Sequence, residues 1–410
     1  MRRVDVVVVG AGAAGLSLAR RLAAPPAPSR RALEVVVIEP PPGTLTSPPR
    51  TWCFWEKGPG ELDEFVAHSW PRLCVRSAGG QPITGTSSYR YKMIRSPDFL
   101  PAVRAELAAS PHVEQMTATV TGVSDVSHGA QVTAVTPQGR ALSVHGRWVF
   151  DSRPPRPLPP ARTTLLQHFR GWFIETDSDR FDPGLAELMD FRTPQPPRGL
   201  SFAYLLPLTR RRALVEYTEF SPCTLDSRTY DAALDHYTRH IRPLGPFTVT
   251  KTEQGVIPMT DAAFVRRQGR SLFRIGTASG ATRPATGYTF ATIQAQTSAV
   301  AEACRAGRRP VPPRPHSRRH LMMDAVWLRA LAQGRIDGPA FFTRMFTRNP
   351  LDRVLSFLHG TSSPLQDIVL GSHCPIAPMS RTLAELPFVP RQPAHGSDPA
   401  HTPHRTETRS

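Results

Sequence analysis

Lysine is nearly absent from this chain of 410 residues, occurring only at Lys57, Lys92 and Lys251. Arginine therefore carries almost all of a formal net charge of +17. No helix-turn-helix, zinc-finger or RNA-binding signature accompanies that charge, so nucleic acid is not expected as a partner. Two readings of the arginines stay open: attraction to an anionic membrane surface, or a GC-rich coding sequence that favours arginine wherever selection is weak. Cysteine is scarce as well. Cys53, Cys74, Cys223, Cys304 and Cys374 are far apart and odd in number, which excludes a CxxC zinc site and argues against a disulfide framework. Long hydrophobic runs are missing too. Nothing approaches the ~20 apolar residues of a spanning helix, and Asp5 interrupts the first apolar run before a secretory signal can form. A cytoplasmic protein is expected, soluble or peripherally associated with the membrane.

Proline, by contrast, is abundant. Its 44 copies are about twice the ~5% average usage, and they cluster at 24–28, 40–49, 154–160, 194–197 and 310–315. Those clusters read as loops, the last also as a linker. From Pro390 to Ser410 large apolar side chains almost vanish, and a disordered tail is expected. Between them the pattern is globular. Residues 4–9 form a β-branched run of the kind buried parallel strands show, residues 11–23 carry one apolar helical face, and residues 34–39 form a second apolar run. Strand, helix and strand in under 40 residues make a βαβ unit. Segment 113–150 alternates like antiparallel strands, as do 165–176 and 201–220, while 287–305 and 321–360 read as helical.

Three motifs carry chemistry. Gly10-Ala-Gly12-Ala-Ala-Gly15 follows the first strand and opens the first helix, and Glu39 ends the second strand. Gly10 permits the tight turn, Gly12 the close approach of a pyrophosphate and Gly15 the packing of helix on strand. Glu39 is placed to accept hydrogen bonds from a ribose. Far downstream an apolar strand runs into Gly276, Gly280, Pro284, Thr286, Gly287 and Tyr288, with a helix beginning near Thr289. Two distant glycine loops suggest FAD held by a discontinuous domain rather than a nicotinamide enzyme with one loop. Third, Glu216 stands among apolar neighbours within Leu214-Val-Glu-Tyr-Thr-Glu219. It is either an acid of raised pKa or a salt-bridged residue on the solvent side of an amphipathic strand; alternation places Glu219 on the opposite face. The aromatic segments 52–55 and 169–173 are equally compatible with plain core and with the wall of an apolar cavity.

Arg50-Thr51-Trp-Cys-Phe-Trp55 resembles the motif that follows the dinucleotide unit in lycopene cyclases. Phe169-Arg-Gly-Trp172, Met189-Asp-Phe191, Val215-Glu216-Tyr-Thr218, Gly255-Val-Ile-Pro258, Gly276 through Tyr288 and Phe357-Leu-His-Gly360 resemble successive blocks of that family, in order. The bacterial β-cyclases are the most similar. The resemblance implies an α/β fold: an FAD-binding Rossmann-type domain, an inserted antiparallel-sheet substrate domain and a C-terminal helical region. In chain order these are 1–165 and 266–310 for the cofactor, 166–265 for substrate, 311–389 helical and 390–410 as tail. It further implies redox-neutral, proton-initiated closure of the ends of lycopene or a related acyclic carotenoid. FAD would work in reduced form, with NAD(P)H as reductant. Glu216 maps onto the family's catalytic carboxylate, and Thr51 joins the cofactor-binding set; the second glutamate of the plant pattern is Tyr217 here. Because such a substrate resides in the membrane, the arginines of 305–319 and the apolar face of 341–358 become the expected contact with an anionic surface. An FAD monooxygenase or polyprenyl reductase, or a non-catalytic carotenoid carrier, are the rival expectations.

Overall fold

A computed structural model describes residues 2–25, 31–43, 45 and 48–393. The chain runs β1 (Arg2–Val9), α1 (Ala13–Ala23), β2 (Val35–Glu39), β3 (Thr51–Lys57), β4 (Val66–Arg76), β5 (Pro82–Arg95), α2 (Ser96–Ala108), β6 (Val113–Thr117), β7 (Thr119–Val126), β8 (Gly129–Val135) and β9 (Ala141–Asp151). It continues with β10 (Thr164–Thr176), β11 (Leu185–Asp190), β12 (Leu200–Pro207), β13 (Arg212–Ser221), α3 (Ser227–His236), β14 (Phe247–Thr260) and β15 (Leu272–Arg274). Six helices close it: α4 (Phe290–Arg305), α5 (Arg318–Ala332), α6 (Gly338–Arg348), α7 (Leu351–His359), α8 (Pro364–Ser372) and α9 (Ile376–Glu385).

Among the described residues, seven strands form one sheet in the order β6-β2-β1-β9-β8-β7, with β15 also on β9. Strands β6, β2, β1, β9 and β15 run parallel. The unbroken valine run of β1 has its explanation here, because both faces are covered. Val6 and Val8 pack with α1, α2 and α4, while Val7 and Val9 meet Val132 and Ala134 of the antiparallel β7–β9 meander.

A second sheet of eight strands has the order β14-β10-β13-β12-β11-β4-β5-β3. One face carries Leu206, Leu214 and Phe220 and packs under α5, α6 and α7 through Trp327, Phe342 and Leu355. The other carries Val215 and Tyr217 and lies under Tyr230 and Leu234 of α3. Residues 51–95, which chain order assigns to the dinucleotide part, contribute three strands to this second sheet. Alternation identifies strands but not their partners, since pairing between distant segments is a tertiary contact. The span 201–220 is likewise two strands, split by a turn at 208–211.

Two expectations about the C-terminal half change. The large apolar residues of 341–358 are core: Phe342, Met345, Val354, Leu355 and Leu358 are buried. Exposed apolar residues lie to either side of that span, at Val311, Leu321 and Met322 and then at Leu365, Ile368, Val369, Ile376, Leu383 and Phe388. Of the tail expected over 390–410, residues 394–410 lie outside the described residues. At its start the chain is tied down, because Gln392 exchanges backbone hydrogen bonds of 2.8 and 2.9 Å with Ala161.

The glycines of the first motif separate fold from function. A Cβ on Gly15 would run into the carbonyl oxygen of Gly10, whereas one on Gly12 would meet nothing within 4 Å. Gly15→Ala should therefore cost about 2 kcal/mol or more, as backbone-level overpacking does. Gly12→Ala should melt close to the unmodified protein. Thermal unfolding of both variants checks this, and equal losses would contradict the geometry.

Candidate functional site

The turn after β1 is shaped for an anion. Gly10 has φ +94°, a left-handed geometry that glycine adopts without strain. Gly12 precedes α1 with no side-chain cap, so the first N–H groups of the helix remain open to a phosphate. Glu39 ends β2, and Arg104 of α2 grips it with both arms of its guanidinium, 3.1 Å to Oε1 and 2.7 Å to Oε2. Each oxygen keeps a lone pair free for a ribose hydroxyl. Arg104 carries no sequence signal of this role; only α2 lying beside β2 and β6 reveals it.

The second glycine loop comes to the same end of the sheet. Gly276 has φ +64°, and a Cβ there would lie 2.6 Å from the Cβ of Ala14 in α1. The Gly276 N–H donates to Gln296 Oε1 at 2.9 Å, which ties the loop to α4. Gly280 and Gly287 also have positive φ, and Pro284 and Thr286 are buried between them. Thr289 precedes α4 without capping it. Its hydroxyl instead turns back to Gly287 O at 2.9 Å, leaving the open N–H groups of α4 on a cleft walled by Cys53, Trp55, Arg283, Tyr288 and His359. Beside Gly287, Gln167 Oε1 and Thr286 Oγ1 are buried without a partner, and a Cβ at Gly287 would collide with that Gln167 oxygen. Orphaned polar atoms cost about 1–3 kcal/mol each. They suit the polar rim of a cofactor ring, so the residues present fit a dinucleotide running from Gly12 to Gly287.

Glu216 lies on the face of the second sheet that looks toward the C-terminal helices, together with Leu214, Thr218 and Phe220. It faces inward, so the alternative of a solvent-side salt bridge does not hold. Although deep in the protein it keeps part of its surface free. Register brings a second carboxylate to it. Gly171 of β10 pairs with Glu216 on one side and with Glu253 of β14 on the other, so the two acids flank a residue without a side chain. A Cβ on Gly171 would stand 3.5 Å from Glu216 Cβ and 3.4 Å from Glu253 Cγ.

Burial pushes Glu216 up to about 8 and the Glu253 carboxylate adds repulsion, while a 2.9 Å hydrogen bond from Thr218 and the Arg50 guanidinium oppose the rise. Glu253 is also raised by burial, against a 2.6 Å hydrogen bond from Thr51 and the charges of Lys251 and Arg50. Arg50 donates to the carbonyl of Gln254. Thr51 is thus placed on Glu253, away from the first glycine turn.

Tyr204 sits directly across from Glu216 in register, and the Tyr288 hydroxyl interacts with those of both Tyr204 and Tyr91. Trp55 meets Tyr288 edge-on at 4.5 Å between ring centres. Through Tyr288 the second glycine loop reaches the acid, so the two sites meet. Of the aromatic segments, Trp55 lines the cleft at the start of α4. Trp52 is packing, stacked on Phe290 at 5.0 Å, and Trp172 lies on the far face with its indole N–H on Asp231 at 3.0 Å. Glu253 escaped the sequence reading although it stands just before the Gly255-Val-Ile-Pro258 block, because only register places it beside Glu216.

Glu219 faces the other way, as alternation requires. It accepts a 3.0 Å hydrogen bond from Tyr217 and lies 3.7 Å from His168, which in turn bonds Tyr230 and Ser221. Burial drops His168 to about 4, so it is neutral, and the cluster anchors α3 to the sheet. Among the described residues no group of three or more His, Cys, Asp or Glu is arranged to hold a metal, and no helix is long and apolar enough to cross a membrane.

Solved structures share the fold. A geranylgeranyl bacteriochlorophyll reductase-like protein of Thermoplasma acidophilum superposes with a TM-score of 0.66 at 14% identity, covering 95% of this chain and 100% of that one. A flavoprotein/dehydrogenase of Cytophaga hutchinsonii gives 0.64 at 14%, covering 94% and 100%, and p-nitrophenol 4-monooxygenase of Pseudomonas putida gives 0.59 at 17%, covering 95% and 99%. Chloroplastic neoxanthin synthase of Solanum lycopersicum is 26% identical over 326 residues, 73% of this chain. The match spans 60% of that protein's length. The sequence profile described as lycopene cyclase protein matches residues 5–384, and the chain belongs to that family.

Proposed function

We propose that this protein is a lycopene β-cyclase: an isomerase that closes the acyclic ends of lycopene, or of a related carotenoid, into β-ionone rings with FAD bound in reduced form. The observation that carries this reading is the inward-facing carboxyl of Glu216, pushed up to about 8 by burial and set across from Tyr204 and beside Glu253. Glu216 delivers its proton to a terminal double bond, so an O–H bond breaks and a C–H bond forms. The resulting tertiary cation is captured by the neighbouring double bond as the ring closes. A ring C–H then gives up its proton to carboxylate, restoring the charge balance with no net redox change. Tyr91, Tyr204, Tyr288 and Trp55 exclude the water that would otherwise hydrate the cation, and their ring faces favour its charge. Reduced flavin, when bound along the two glycine loops, supplies negative charge beside the cation. NAD(P)H is the proposed reductant of that flavin.

The proton donor is tested by Glu216→Gln, which preserves size while removing the acidic proton. Conversion of lycopene should fall about 10²–10⁴-fold, with flavin content unchanged; Glu219→Gln should cost far less turnover. In the unmodified protein activity should persist below about pH 8 and decline above it, because the acid works in its protonated form and loses that proton as pH rises through its pKa. Near-normal turnover by the Glu216→Gln protein would remove the assignment.

Anaerobic incubation with oxidised or dithionite-reduced flavin separates the cyclase from a reductase or monooxygenase on the same fold. Only the reduced form should turn over, without consuming reductant in proportion to product. Gly12→Ala should lose flavin while keeping its fold. Stoichiometric consumption of reductant would favour the redox enzymes.

Access to a membrane-resident hydrocarbon suggests peripheral attachment to an anionic membrane. The exposed apolar side chains of α8, α9 and the following turn, with exposed Arg308, Arg309, Arg314 and Arg318, are the surface we propose for it. Flotation with anionic liposomes should recover the protein at low salt and less at high salt. Replacing Leu365, Ile368 and Phe388 together by Ser should abolish recovery, and unchanged flotation would exclude this surface.

A further inference from the structure

We propose that Glu216 and Glu253 act as one carboxyl pair holding a single proton, kept on Glu216 because Glu253 is the better-compensated charge, with Gly171 as the gap through which they interact. The inference deepens the cyclase reading and rests on it only for the identity of the substrate. Glu253 is a positioning residue here: it acts through Glu216.

Several observations converge on the pair. Register places Gly171 between the two acids, which sit on the strands to either side of it and on one face of the sheet. Neighbouring strands lie about 4.8 Å apart, so any larger side chain at 171 would stand between the carboxyl groups. The surroundings are unequal. Glu253 receives the Thr51 hydroxyl at 2.6 Å and has both Lys251 and Arg50 nearby, which suits a negative charge. Glu216 has the Thr218 hydroxyl at 2.9 Å and shares only Arg50.

Besides Arg50 and Glu253, the ionisable groups around Glu216 are neutral at working pH. Tyr204 faces it from β12, Cys53 from β3 and Tyr288 from the second glycine loop, and burial raises each of their pKa values. Burial contributes most to how strongly Glu216 holds its proton, and Glu253 is the nearby group whose negative charge adds to it. Two like charges facing each other across a single glycine in buried surroundings do not both form readily, the situation in which carboxyl pairs share one proton. After Glu216 gives its proton to substrate, two carboxylates face the new cation, and their combined charge favours its later deprotonation.

The test is a titration read in two ways. Infrared difference spectroscopy of the purified, flavin-loaded protein follows the C=O stretch of a protonated buried carboxyl, with Glu216→Gln identifying the band. Glu253→Gln removes the charge while keeping the volume. The Glu216 band should then titrate at least about one pH unit lower, and the alkaline limb of turnover should move by the same amount, a roughly tenfold loss on that limb with KM little changed. Thr51→Val, which weakens the hold on the Glu253 charge, should shift both in the same direction by less. A band that titrates at the same pH in the unmodified protein and in both of these variants overturns the pair, as does an equal loss of turnover at every pH. The infrared titration needs no substrate, so a failure of the pair is distinguishable from a failure of the assigned reaction.

Discussion

A carboxyl group kept out of water beside a second carboxyl is the constraint on which the rest of this structure depends. Taking an acid into the interior costs several kcal/mol if it must stay ionised, and Glu216 avoids that cost by retaining its proton. The second sheet makes this possible. Its strands fix Glu216, Gly171 and Glu253 in one row, while Arg50 and Thr51, where β3 begins, reach in from the opposite edge of the same sheet. Had the two acids sat on a loop, water would have solvated both, and neither would have held a proton near neutral pH.

The two layers of the molecule serve this row from different directions. The parallel sheet ends in two glycine turns that expose backbone N–H groups at α1 and α4. The second sheet, antiparallel except where β4 pairs with β11, presents the acids and tyrosines. The loop from Gly276 to Tyr288 belongs to both, because Gly276 touches Ala14 while Tyr288 reaches Tyr91 and Tyr204. That loop is itself anchored from behind. The Arg283 guanidinium, almost fully buried, is paired with Asp324 of α5 at 3.2 Å and stacked over Phe357 of α7. Removing Asp324 would leave a buried charge uncompensated, so α5 and α7 matter to the site although their own residues are mostly packing.

The opposite face of the second sheet carries another buried carboxyl in different surroundings. Glu219, two residues past Tyr217 on the strand that carries Glu216, is buried too but is satisfied by Tyr217 and by a neutral His168 network under α3. Its neighbours complete its hydrogen bonds, whereas Glu216 retains free surface. The difference between a satisfied carboxylate and one with free surface lies in what the facing layer supplies, and it is decided three residues apart on one strand.

The sequence by itself determined the βαβ unit, both glycine loops, the family and the opposite faces of Glu216 and Glu219, because each follows from local rules: strand period, turn geometry, and residue order within a motif. Tertiary structure alone decided the rest. Residues 51–95 joined the second sheet, the apolar residues of 341–358 went into the core, Arg104 closed on Glu39, and Glu253 came beside Glu216 although 37 positions separate them in the chain. Strand pairing and helix docking are contacts between segments distant in sequence, and a residue's neighbours across a sheet depend on which strand lies alongside. The periodicity of a single strand says which way each side chain points, and says nothing about what it will meet there.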